Sequence, residues 1–230
     1  MSILDLIFPK KCLGCQKEGK YFCSNCLSQR APISQICPVC EKPSPFGQTH
    51  PFCLTRYSLD GLTSFLFFGG IIRQAIHKLK YRLVTDLKEE FWQIILSELK
   101  RREDLLLLNK FTAQYKPIII PIPLYWYKYN YRGFNQATLF AQDFANYFHL
   151  PLSEEILIRN KGTVSQTKLK IKERKANVQN AFFVKQKLKT LPENILLIDD
   201  VWTTGSTLKT AGSLLKRSGV KKIWGLTIAR

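Results

Sequence analysis

ILLIDDVWTTGSTL, residues 195–208, decides how this chain is read. The opening four residues are an apolar run of the length and β-propensity expected of a parallel strand buried on both faces. Asp199 and Asp200 follow at its C-terminal end, where open α/β sheets bind their ligands. Residues 203–207 then form a small-residue loop leading into a helix. The backbone N–H groups of that loop and the positive end of the helix dipole meet at one point, and Gly205 allows the tight turn this needs. The hydroxyls of Thr203, Thr204, Ser206 and Thr207 add donors, so the loop is an anion nest sized for one phosphate. Two carboxylates beside such a nest can accept hydrogen bonds from a ribose diol or hold Mg²⁺. An acid pair that merely caps a helix is the alternative, but it does not require the whole string. No GxxxxGK[ST] sequence occurs in the chain, which argues against a nucleoside-triphosphatase loop.

The flanks repeat the strand–helix alternation. KPIIIPIPL at 116–124 and KKIWGLTIA at 221–229 read as further strands, with helices over 133–148 and 206–217 and a short strand at 155–158. Upstream lie a strand at 62–68 and helices at 71–80 and 86–102. In the second of these helices Leu87, Phe91, Ile94, Ile95 and Leu99 share one face. Alternating strands and helices predict an α/β fold with a mainly parallel sheet flanked by helices, over residues 58–230. Residues 159–180 carry no apolar period and are expected to be loop.

Residues 1–57 are different. All seven cysteines lie here, as Cys12-x2-Cys15, Cys23-x2-Cys26, Cys37-x2-Cys40 and His50-x2-Cys53. A two-residue gap lets both members of a pair bind one tetrahedral ion, so eight ligands suit two structural zinc ions. One ion would take four thiolates and the other three thiolates and the His50 imidazole. Sequential and cross-braced pairings both satisfy the spacing; the compact seven-residue gap between the first two pairs favours sequential sites. An odd number of cysteines without an export signal argues against a disulfide framework.

The net charge is +18. Residues 159–189 contain ten Lys and Arg against the single acid Glu173, so they hold half of the excess. Such a segment is either a solvated face or a basic arm for a phosphate ligand or a nucleic acid. No run is long and apolar enough to span a bilayer and the start has no cleavage signal, so a cytoplasmic location and no membrane insertion are expected.

The 195–208 string resembles the signature of type I phosphoribosyltransferases. The cysteine module, PIPLYWYKYNYRGFNQATLFA at 121–141 and SQTKLKIKERKANVQNAF at 165–182 resemble the ComF family within that fold. The resemblance implies a type I phosphoribosyltransferase fold that binds phosphoribosyl pyrophosphate or a related ribose phosphate with Mg²⁺ at Asp199, Asp200 and residues 203–207. Arg132, Gly133, Asn135 and Gln136 would follow the pyrophosphate-binding loop. Lys128 and Arg132 would supply its cations, and Gln166, Arg174 and Asn177 would belong to a loop covering the ligand. It also implies handling of incoming single-stranded DNA in natural transformation, alongside competence or recombination proteins. Two functions are therefore open: phosphoribosyl transfer by Asp199, Asp200 and Arg132 to an acceptor the sequence does not identify, or a non-catalytic DNA-binding or ligand-sensing scaffold. The run YWYKYNY, 125–131, is less basic than this family leads one to expect; its aromatic faces suit base stacking or packing against the sheet. Charge reversal at Lys168, Lys170 and Lys172 is expected to weaken single-strand binding and flatten its dependence on salt. An unchanged slope of log affinity against log salt would place the DNA contact elsewhere.

Overall fold

A computed structural model describes residues 9–81, 85–159, 181–185 and 191–230 of the chain. The expected alternation is present. Four parallel strands form one sheet in the order β1 (Gly61–Leu66), β6 (Lys222–Ala229), β5 (Asn194–Val201), β2 (Ile118–Pro121). The two central strands, β5 and β6, sort their side chains by parity. Leu196, Ile198, Trp224, Leu226 and Ile228 enter one core, whereas Ile195, Leu197 and Ile223 enter the other. That is the period of two a strand imposes, and it explains why both faces read as continuous apolar sequence.

The first core is covered by helices α2 (Gly70–Tyr81), α3 (Thr85–Arg101), α4 (Leu106–Tyr115) and α6 (Gln136–Phe148), among them the apolar face of Leu87, Phe91, Ile95 and Leu99. The second is closed by α7 (Ser206–Arg217), through Leu208, Ala211 and Leu215, and by an antiparallel ribbon of β3 (Leu157–Arg159) and β4 (Phe182–Val184). No helix among the described residues is long and apolar enough to cross a membrane.

Three expectations need adjustment. The helix expected over 133–148 begins at Gln136, because Gly133 takes the left-handed conformation (φ 77°) that ends a preceding helix, α5 (Trp126–Arg132). Asn135 then caps α6, its side chain accepting from the N–H of Ala137. The strand expected at 155–158 runs from Leu157 to Arg159, and α4 was not anticipated. Of the basic stretch 159–180 only Arg159 is described; Gln166, Lys168, Lys170, Lys172, Arg174 and Asn177 lie outside the described residues.

Among its described residues the cysteine-rich segment contains one α-helix, α1 (Ser24–Ser28), and short 3₁₀ helices at Pro45–Gly47 and Pro51–Cys53, and is otherwise built mainly from turns. It shares the first core: Cys12, Leu13 and Phe22 are buried there, and the Phe22 ring lies 5.3 Å from that of Phe91. The Phe22 N–H donates to Glu90, and Arg30 pairs with Glu98, which is 3% exposed. We propose the division 1–57 and 58–230 on this basis of composition, with a packed rather than floppy junction. Removing zinc with a strong chelator is expected to release amides of residues 9–57 to hydrogen exchange before those of β5 and β6. The melting temperature of the remainder should fall by several degrees as Phe22 leaves Phe91. Simultaneous loss of protection would make the chain one cooperative unit.

Candidate functional site

Two metal-ligating clusters form where the cysteine spacing placed them. The ligand atoms of Cys12, Cys15, Cys23 and Cys26 all lie within 4.8 Å of one another, and so do those of Cys37, Cys40, His50 and Cys53. The pairing is therefore sequential. Each first pair sits on a matched knuckle: the N–H groups of Gln16 and Glu41 donate back to the carbonyls of Cys12 and Cys37, and both residues are left-handed, at φ 63° and 62°. A Cβ at Gly14 would stand 2.7 Å from the Cys26 sulfur, so only glycine fits between the first two ligands.

The chemistry of the donors matches zinc. Four thiols this close compete for protons. Cys12 falls to about 6, burial opposing and backbone N–H donors from Cys15, Cys23 and Gly14 prevailing. Cys26 is pushed up to about 12, first by its hydrogen bond with Cys23. A divalent cation removes that conflict by taking all four as thiolates. His50 turns Nδ1 toward Cys40 Sγ, 3.3 Å away, while Nε2 meets the carbonyl of Pro43 at 3.1 Å. An imidazole held by a carbonyl through one nitrogen presents the other to a metal. Both clusters are consistent with structural zinc.

The second site is a cleft of about 280 Å³ at the C-terminal edge of the sheet. Strand β5 delivers Asp199 and Asp200, and the loop into α7 delivers Thr203, Gly205, Ser206 and Thr207. Gly205 has φ 64°, and a Cβ there would meet the Trp202 indole at 2.1 Å, so the nest turn is seated directly on that ring. Thr204 does not line the cleft; its hydroxyl donates to Ser206 Oγ (3.0 Å) and accepts from the Ser206 N–H, and so shapes the turn. Lys128 and Arg132 enter from α5. Asn135 and Gln136 line the cleft but also brace it: Asn135 donates to the Ile122 carbonyl, and Gln136 accepts from Arg132 at 3.0 Å while donating to the Leu79 carbonyl.

Sequence reasoning missed His77, Lys80 and Arg159. Lys80 Nζ lies 2.8 Å from Asp200 Oδ2, and Arg159 ends β3 facing the acids. Position is the reason: the basic end of α2 reaches the sheet edge only through the fold. Lys80, Lys128, Arg132 and Arg159 thus crowd around two carboxylates. Burial, then the charges of Arg159, Arg132 and Lys80, lower the Lys128 ammonium below its usual range. Burial likewise lowers Arg159, with Asp199 opposing. An anionic ligand would relieve the cations.

Asp199 is pushed up to about 8, by burial first and by the charge of Asp200 second, against the Asp200 N–H, Lys80 and Arg159. An unfolded aspartate loses its proton near about pH 4. Folding therefore takes up a proton between about pH 4 and 8, and this group makes the protein less stable as pH rises through that window. Asp199→Asn removes the titration. Its melting temperature relative to wild type is expected to climb between about pH 5 and 8, as read by thermal melts; a pH-independent difference would mean that Asp199 is already ionised in the folded protein.

Residues 3–54 match the double zinc ribbon domain family. Competence protein F of Haemophilus influenzae is 33% identical over 228 residues, which cover 95% of this chain and 90% of that protein. The DNA utilization protein YhgH of Escherichia coli is 27% identical over 215 residues, covering 89% of this chain and 88% of the relative. Competence protein ComFC of Bacillus subtilis is 28% identical over 215 residues, covering 88% and 81%. Identity of one residue in three, sustained across nearly the full length of both proteins, shows that the chain belongs to the competence protein F family.

Proposed function

We propose that the cleft binds phosphoribosyl pyrophosphate or a related ribose phosphate together with Mg²⁺, and that the protein uses this site while handling single-stranded DNA during DNA uptake. The observation that carries the reading is the meeting, at one sheet edge, of an acid pair, a phosphate-sized nest and four cations. In this reading the nest holds the 5′-phosphate through backbone N–H groups and hydroxyls. Asp199 and Asp200 accept from the ribose hydroxyls, and Lys128, Arg132 and Arg159 take the pyrophosphate charge. Asp199 and Asp200 would also hold the Mg²⁺, directly or through water. The ion, when bound, neutralises charge on the pyrophosphate as it departs. The chain's own contribution to a transfer reaction would be placement and electrostatic stabilisation.

The names of the relatives, competence proteins and DNA utilization proteins, support the link to DNA uptake. The +18 charge supports binding of a polyanion such as a single strand.

Calorimetric titration with phosphoribosyl pyrophosphate and Mg²⁺ tests the reading. Saturable binding is expected in the wild type and a loss of about a hundredfold in the Asp199→Asn/Asp200→Asn variant, since charge-assisted hydrogen bonds are removed. Equal binding by the two proteins would displace the site. Salt-sensitive DNA binding with no sugar-phosphate binding would leave a DNA-handling scaffold instead.

A further inference from the structure

Helix α5 has two faces of different chemistry. Lys128 and Arg132, one helical turn apart, line the cleft. Trp126, Tyr127, Tyr129 and Tyr131 stand 59%, 64%, 49% and 74% exposed. None of the seven residues of this helix is buried, so the aromatic rings do not serve the core. Scattered single apolar residues on a surface mean little, but four aromatic residues on two turns of helix are a concentrated patch. Tyr125 adds a fifth ring 5.5 Å from Trp126, whose own ring lies 6.0 Å from that of Tyr127.

The cleft itself is small. At about 280 Å³ it sits at the lower end of ligand pockets, and residues of β5, α2, α5, α6, α7 and β3 surround it. A volume of that size suits one sugar phosphate. A 5′-phosphorylated DNA end presents a single terminal deoxyribose phosphate with its bases trailing outward.

We infer that the exposed aromatic rings of α5 are a stacking platform for the terminal bases of a single DNA strand, whose last deoxyribose 5′-phosphate enters the cleft and meets the nest and its cations. This deepens the proposed function and rests on its reading of the cleft as a ribose-phosphate site. The occupant follows from charge and shape together: the cations that line the cleft suit a phosphate, and the exposed π-faces beside them suit bases of any sequence. Seven residues span about 10 Å, enough for about two or three nucleotides. The same adjacency excludes simultaneous occupancy, so a strand end and phosphoribosyl pyrophosphate compete for the cleft.

The test uses the full-length, zinc-loaded protein at fixed salt, with a 5′-phosphorylated deoxyoligothymidylate carrying an internal fluorophore and a circularised form of equal length. The Trp126→Ala/Tyr127→Ala/Tyr131→Ala variant is expected to lose about tenfold or more in affinity for the linear strand. Its melting temperature and its affinity for phosphoribosyl pyrophosphate should stay at wild-type values. The linear strand is expected to displace phosphoribosyl pyrophosphate and the circle is not. Wild-type affinity for the linear strand in the triple variant overturns the platform. Equal displacement by circle and linear strand overturns the placement of the end in the cleft. If the wild type binds no phosphoribosyl pyrophosphate, yet the aromatic variant loses the strand and the circle binds more weakly than the linear form, the sugar-phosphate reading fails and the platform stands.

Discussion

The cleft depends on the place where β5 changes from apolar to acidic. Up to Ile198 the strand is buried on both faces, wedged between two cores, and its backbone is fixed by parallel neighbours on either side. Asp199 and Asp200 are carried on that rigid element to the edge of the sheet, where the backbone cannot retreat from the charges it brings. Two carboxylates held side by side on a buried strand demand compensation. The fold supplies it from distant places: Lys80 from the end of α2, Arg159 from β3, Lys128 and Arg132 from α5. Helix α2 and strand β3 pack on the cores through apolar residues and bring a cation with them, whereas α5 brings two while burying none of its own residues.

The balance that results is tense in both directions. The carboxylate of Asp199 is disfavoured, and so are the charged forms of Lys128 and Arg159, although the opposite charges stand near one another. Burial exceeds mutual attraction because the loss of water around these groups outweighs what the nearby opposite charges return. A ligand with a diol at one end and phosphates at the other would satisfy both sets at once, which an ordinary surface ion pair does not require. Hydrogen bonds from Asn135 to the Ile122 carbonyl and from Arg132 to Gln136 brace one wall of the cleft.

Much of this was legible in sequence. The central strands announced themselves because burial on both faces leaves an unbroken apolar run, and the nest because its residues are consecutive. The cysteine clusters were legible for the same reason, their spacing being local, and His50 lies with the second of them. The pairing was not forced by spacing and needed the fold. Lys80 was illegible, since nothing in its neighbourhood distinguishes a cleft cation from a solvated one, and Arg159 was legible only as the first residue of a basic segment. Helix α5 was hidden by composition: YWYKYNY has weak helix formers and no apolar period, and it is helical because Gly133 closes the turn after it. Helix α4 did carry a signal, with Leu105, Leu108, Phe111 and Thr112 at helical spacing and buried, but the charged residues 101–104 preceding it masked its start.

Glu41 links the second cysteine knuckle to the loop of residues 203–207. Glu41, in the left-handed turn right after Cys40, binds Lys209 at 2.6 Å, and Lys209 in turn lies over the Trp202 ring, 5.1 Å from its centre, with Gly205 seated on that same indole. The carboxylate that the ribbon lends to α7 has nothing to do with metal ligation, and a foreign ribbon could hold its zinc faultlessly while lacking it. The ribbon is therefore not an interchangeable cassette. A chimera assembled from two relatives would inherit a mismatched seam wherever positions 41 and 209 came from parents with different charges, and lineages that altered one would be under pressure to alter the other.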